Sequence, residues 1–195
     1  MKRIAELERK TKETQIRIKL SLDGNGSYEI DTGIGFFDHM LTLLAVHGQV
    51  DLEVAASGDI EVDLHHTVED VGLVLGEAFN QALGDRRGIR RYGHAVIPMD
   101  DALTEVTIDL SNRPYLKFLL PKKVPRQNDF DTSLASEFFR ALAYKAGLNL
   151  HVRMAYGENW HHMIEAAFKG LGRAFRQAST MDSRIKGVPS SKGSL

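Results

Sequence analysis

The feature that most limits what this chain can fold into is a helix written twice. The segment "DLHHTVEDVGLVLGEAF" begins at Asp63, and "NWHHMIEAAFKGLGRAF" begins at Asn159. Superposing His65 on His161 also matches His66 with His162, Glu69 with Glu165, Leu75 with Leu171, Gly76 with Gly172, Ala78 with Ala174 and Phe79 with Phe175. Both copies place apolar residues at helical spacing behind a His-His-x-x-Glu head. A repeat this long is not a solenoid unit. It points to two similar halves packed about a pseudo-twofold axis.

The stretches ahead of each helix follow the same order. "QIRIKLSL" from Gln15 alternates apolar and polar residues, as a half-buried strand does. "DGNGS" from Asp23 has hairpin chemistry, with "YEID" as the expected return strand. "FFDHMLTLLAV" from Phe36 reads as a buried helix ending at Gly48, and "VDLEVAA" from Val50 as a strand. In the second half "LTEVTIDLS" alternates, "PYLKFLL" is its expected partner across the turn "SNRP", "DTSLASEFFRALAYKAG" is a helix closed by glycine, and "LNLHVRMA" is a strand. The expected architecture is α+β, a duplicated β-β-α-β-α-like unit. Residues 1–88 and 89–195 form its halves, together one compact unit, with "GDRRGIRRYG" from Gly84 as the junction.

In a helix, residues four apart share a face. His65 with Glu69, and His161 with Glu165, each present a nitrogen and a carboxylate to one point. His66 and His162 are turned away by roughly a hundred degrees, so each helix feeds two sites or sits between two. The match of "LAVHGQVDLEV" with "LAYKAGLNLHV" makes His39 and Glu137 counterparts on the other helix pair. The chain has 195 residues and no cysteine, so any metal must be held by nitrogen and oxygen. That donor set suits Mn²⁺, with Zn²⁺, Fe²⁺ or Co²⁺ also open. One His-His-x-x-Glu could be a solvated helix face. Duplication of a core alone would keep Leu75/Leu171 and Phe79/Phe175 but gives no reason to keep paired histidines. The metalloprotease pattern His-Glu-x-x-His is absent.

A net charge of −1 gives no general electrostatic grip on nucleic acid or an anionic membrane. No apolar run reaches the roughly 18 residues of a membrane span, and the charged N-terminus lacks a signal-peptide core. A cytoplasmic location is expected. Other readings are a different metal-dependent hydrolase or lyase acting on a phosphorylated small molecule, an RNA-binding protein, or a protein with a purely structural metal.

"FFDHML", "HHTVED", "RPYL", "HHMIEAAFK" and "VPSSKG", in this order, resemble the imidazoleglycerol-phosphate dehydratase family in its monofunctional form, from about Arg9 to Leu195. The resemblance implies halves like ribosomal protein S5 domain 2. It also implies a manganese-dependent lyase of histidine biosynthesis that converts imidazole glycerol phosphate to imidazole acetol phosphate, through an imidazolate and a diazafulvene-like intermediate. Family members assemble as 24-subunit particles built from trimers, with metals bridging subunits. Carried over, two Mn²⁺ per subunit are expected: one on His39, His66, His161 and Glu165, the other on His65, Glu69, Glu137 and His162. Some members have histidine at the position of Glu137. Glu13 and Glu165 are the implied catalytic carboxylates, with Glu13 also touching substrate as acid and base. Arg91, Arg113, Lys169, Ser190 and Lys192 are the implied phosphate contacts, which makes the Gly/Ser-rich tail a substrate-binding segment rather than a loose end. "SNRPY" carries Asn112 where the family has glycine.

Overall fold

The computed structural model describes residues 3–125, 127 and 129–195. The first half runs β1 (Ile4–Lys10), β2 (Thr14–Ser21), β3 (Tyr28–Asp31), α1 (Gly35–Gly48), β4 (Asp51–Gly58) and α2 (His65–Leu83). The second runs β5 (Tyr92–Met99), β6 (Ala102–Asp109), β7 (Tyr115–Leu119), α3 (Thr132–Ala146), β8 (Asn149–Tyr156) and α4 (Trp160–Ser179). The two sheets have the same strand order, β1-β2-β4-β3 and β5-β6-β8-β7. The repeated unit is therefore β-β-β-α-β-α, one strand longer at its start than the sequence pattern suggests.

Both expected hairpins are absent. Rather than folding back on β2, β3 runs parallel to β4, with Ile30 opposite Val54; likewise β7 runs parallel to β8, with Phe118 opposite Val152. The physical reason in the first half is the turn itself. Asp51 Oδ1 accepts the backbone N–H groups of Asn25 (2.9 Å) and Ser27 (3.1 Å), and a Cβ on Gly24 would meet the Asp51 nitrogen at 2.3 Å. The turn is thus folded over the start of β4 and delivers β3 to the far side of that strand. In the second half the Tyr115 N–H reaches the Leu148 carbonyl at 2.9 Å and sets β7 beside β8. A parallel pair needs a crossover, and α1 and α3 supply it.

One face of each sheet is buried: Ile16, Ile18 and Leu20 in the first, Val106, Ile108 and Leu150 in the second, all with no exposed surface. The helices form a layer between these faces, with α2 against its own β1 and β2, α4 against β5 and β6, and the halves joined through α2 on α3 and α1 on α4. Phe79 and Phe175, counterparts in the duplication, touch each other with ring centroids 4.1 Å apart. A residue in contact with its own counterpart marks the pseudo-twofold axis. The heads of α2 and α4 lie at matching places about it.

Candidate metal and substrate site

Helix α4 starts at a well-made cap: the Asn159 side chain accepts the His161 N–H at 2.9 Å. The next residue, Trp160, is buried and donates its indole N–H to the Phe130 carbonyl at 2.8 Å, which fixes the rotation of the first turn. That rotation points His161 and Glu165 along one side, with His161 Nε2 3.2 Å from Glu165 Oε2. His39 comes from α1, its ring 5.7 Å from that of His161. The ligand atoms of His39, His161 and Glu165 all lie within 4.8 Å of one another, the one such group among the described residues. Glu165 is nearly buried, and burial pushes its carboxyl pKa up. Lys169, hydrogen-bonded to it at 2.7 Å, and the nearby His161 and His39 pull it further down, so the net shift is downward.

The counterpart head on α2 is arranged differently. His65 Nε2 stands 3.6 Å from Glu69 Oε2. Glu69 meets Glu137 of α3 through a shared cation: Arg140 donates to Glu69 at 3.1 Å and, through Nε, to Glu137 at 2.9 Å. An arginine thus balances the two carboxylates within this chain.

His66 and His162 do not join either cluster in their own chain. The Nδ1 of His66 lies 3.1 Å from both oxygens of Asp59, which raises the affinity of that ring for a proton. The Nδ1 of His162 lies 2.5 Å from Asp101 Oδ1. That bond, with the backbone N–H of Glu158 next in weight, draws the Asp101 carboxyl down to about 2. Glu13, in the turn between β1 and β2, is more than half exposed and lies 4.0 Å from His66 Nδ1.

Comparison with known proteins shows the family and the fold. A profile of the family described as Imidazoleglycerol-phosphate dehydratase matches residues 32–175. The chain is 56% identical over 195 residues, the whole of both chains, to a protein of Desulforamulus reducens named imidazoleglycerol-phosphate dehydratase. It is 56% identical over 193 residues to the protein of that name from Caldanaerobacter subterraneus, covering 99% of this chain and 100% of the other. The solved dehydratase of Pyrococcus furiosus superposes with a TM-score of 0.84 at 38% identity, over 97% of this chain and 100% of that one. The Staphylococcus aureus enzyme gives 0.81 at 39%, over 92% and 99%. The chain belongs to the imidazoleglycerol-phosphate dehydratase family. It is a lyase that removes water from its substrate.

The residues which the resemblance assigns to phosphate are scattered in one chain of this dehydratase. Lys169 is at the Glu165 cluster. Arg91 holds Asp109 with two bonds, at 2.7 and 3.1 Å, and gives a third, at 2.8 Å, to the Pro189 carbonyl. It therefore ties the tail to the second sheet and brings Ser190 alongside. The tail is anchored further back by Gly88, whose N–H reaches the Gly187 carbonyl and whose carbonyl takes the Asp182 N–H, each at 2.8 Å. Beyond it the Lys192 N–H bonds to Ser190 Oγ at 3.2 Å, with the lysine side chain exposed. Arg113 is also exposed, at the far end of α3 from Glu137. Asn112 before it holds φ at 55°, a left-handed conformation that asparagine tolerates better than most residues, so the glycine is replaced without losing the turn.

Sequence reasoning missed a basic cleft. A cavity of about 410 Å³ is lined by His47, Arg90, His94, Arg173 and Arg176. Burial lowers the His47 pKa, and the positive charges of Lys169 and Arg173 lower it further. The signal was present, since Glu165, Lys169, Arg173 and Arg176 step by four, four and three along one face of α4. Asp59 and Asp101 were missed as well; nothing in the sequence links either to a histidine. No helix of the described residues is long and apolar enough to cross a membrane.

Proposed function

We propose that this dehydratase converts D-erythro-imidazole glycerol phosphate to imidazole acetol phosphate in histidine biosynthesis, and that it does so with manganese held by its duplicated helix heads. The observation that carries the reading is the single face of α4. It begins with the converging His161 and Glu165, joined by His39, and continues into Lys169, Arg173 and Arg176. Along a helix axis, Lys169 is about 6 Å and Arg173 about 12 Å beyond Glu165. A substrate with an imidazole at one end and a phosphate three carbons away spans a distance of that order.

The donors fit the ion. Two imidazole nitrogens and one carboxylate, already gathered within 4.8 Å and without sulfur, make a set suited to Mn²⁺. His65, Glu69, Glu137 and His162 form the second expected set, and His66 completes the first. Because His66 and His162 are held away from their own chain's clusters, each site is completed by a neighbouring subunit, which supports assembly from trimers into a 24-subunit particle. When bound, the metal supplies a Lewis acid for the substrate's ring nitrogen.

The chain's own groups do the rest. Lys169 neutralises Glu165 in the free site and is placed to turn toward the phosphate, and Arg91 keeps the tail, with Ser190 and Lys192, within reach. Arg113 serves the phosphate of an adjoining subunit. The carboxylate of Glu13 has no hydrogen bond among the described residues, so it is free to take the proton from the side-chain carbon and return it elsewhere. Water leaves as the carbon–oxygen bond next to the ring breaks. The resulting enol rearranges to the ketone.

The test is to strip the protein with chelator and follow keto product from imidazole glycerol phosphate with and without added Mn²⁺. Turnover only with the metal is expected. A fully assembled, manganese-loaded protein that leaves this substrate unchanged would sink the proposal.

A further inference from the structure

The histidines that turn away from their own clusters are each gripped by a carboxylate that no motif predicts. We propose that Asp101 and Asp59 are positioning residues that select which ring nitrogen of His162 and His66 faces the metal. The inference rests on the metal reading above.

An ionised carboxylate can only accept a hydrogen bond. With Asp101 Oδ1 2.5 Å from His162 Nδ1, and both Asp59 oxygens 3.1 Å from His66 Nδ1, the proton of each ring must sit on Nδ1. That leaves the Nε2 lone pair pointing away from the gripping carboxylate and available as a ligand. On His162 the exposed Asp100 stands 3.8 Å from Nε2, beyond hydrogen-bond reach. Asp101 is itself fixed. Its second oxygen accepts the N–H of Asn159 at 2.9 Å and that of Glu158, so the acid is built into the cap of α4. Asp59 is held in turn, its N–H donated to the Glu13 carbonyl at 3.2 Å and its own carbonyl taking the Val62 N–H at 2.8 Å.

The duplication shows how this division of labour is arranged. The inward residues Thr14, Ile16, Ile18 and Leu20 of β2 correspond to Ala102, Thr104, Val106 and Ile108 of β6. Glu13 is therefore the counterpart of Asp101. In the second half the turn carboxylate grips its histidine. In the first half Asp59 takes the grip from another loop, and Glu13 is left at 4.0 Å from His66. One position in the repeat has become an orienting group and its counterpart a free carboxylate for proton transfer.

Asp101→Asn tests this directly. The two backbone N–H groups require an acceptor, so the amide oxygen turns to them and the NH₂ faces His162 Nδ1. The ring proton is then driven to Nε2, the wrong tautomer for ligation. Mn²⁺ affinity of the assembled protein, measured by chelator competition with metal counted per chain, is expected to fall 10- to 100-fold for one of two equivalents. Asp101→Ala leaves the ring free to choose and should lose less. Asp59→Asn should weaken the other equivalent, and it serves where the first variant fails to fold. Unchanged affinity in both Asn variants, or a larger loss with Ala than with Asn, overturns the proposal. A wild-type protein that binds no metal overturns the underlying reading instead.

Discussion

Gly172 of α4 and Gly48 of α1 meet backbone to backbone. A Cβ on Gly172 would lie 2.6 Å from the Leu44 carbonyl oxygen and 2.8 Å from the Gly48 nitrogen. The counterpart crossing is equally close: a Cβ on Gly76 of α2 would lie 2.6 Å from the Leu142 carbonyl of α3. These contacts set how near His39 on one helix comes to His161 and Glu165 on the other, about two turns away. Gly172→Ala forces the helices apart, with an expected loss of about 1–3 kcal/mol. A thermal melt several degrees lower, together with weaker Mn²⁺ binding, is the expected result. An unshifted melt would mean that the crossing has slack which the structure does not show.

The parts of the fold legible in the sequence are those with a periodic face. α2 is found at His65–Leu83, and β2 within one residue of the alternating run. β1 and β5 were not legible. In β1 only Ala5 is buried, so its charges mask any alternation. In β5 the inward positions begin with Gly93 and Ala95, because α4 lies so close that a Cβ on Gly93 would be 1.9 Å from the Ala174 oxygen. Small inward residues carry no hydrophobic signal, although they report a tight contact. The partners of β3 and β7 differ from the sequence expectation for another reason: Gly- and Asn-rich turns announce a reversal without saying which strand receives the chain. At the site, the pairing of His161 with Glu165 follows from helical spacing alone. The approach of Asp101 to His162 depends on how a distant turn lands on a helix cap.

His47 makes the basic cleft sensitive to pH. Burial and the charges of Lys169 and Arg173 lower its pKa in the folded chain. Below the ordinary histidine value of about 6.5, the unfolded chain gains a proton that the folded one resists. The unfolded state then binds more protons, so His47 costs stability as pH falls through that range. Unfolding followed from about pH 7 down to 5 should show a shallower loss for His47→Gln than for the wild type. A phosphate dianion in the cleft opposes the same charges, so its binding should take up a proton in that window, detectable by calorimetry in buffers of different ionisation enthalpy.

Asp182 closes the turn that follows its backbone bond to Gly88, and its carboxylate also lies 3.9 Å from Arg90 Nε. That carboxylate takes two side-chain bonds from Arg184, at 2.9 and 2.7 Å, and is held well below the usual carboxylate range by that arginine. A lowered carboxylate stabilises the fold above the ordinary value of about 4, and the contribution is lost as pH falls toward the native one. Asp182→Ala should loosen the segment that presents Ser190 and Lys192. Trypsin should then cut faster after Arg184 or Lys186, and KM should rise, by roughly tenfold or less, with kcat little changed. Equal cleavage rates would mean that the Gly88 and Arg91 contacts hold the tail without the Asp182 carboxylate.

On the proposed mechanism, a change at Glu13 should separate metal binding from proton transfer. The Glu13 side chain is exposed, lies 4.0 Å from His66 Nδ1, and is not needed to hold that ring, which Asp59 already grips. Glu13→Gln keeps the size of the side chain and the backbone contacts of the turn while removing the base. The variant should bind metal with wild-type stoichiometry and affinity and assemble normally, yet lose about 10²- to 10⁴-fold in kcat, the usual contribution of a positioned acid–base group. Metal loss in parallel with activity would make Glu13 a support for the metal site, and full activity would return the proton-transfer role to Glu165.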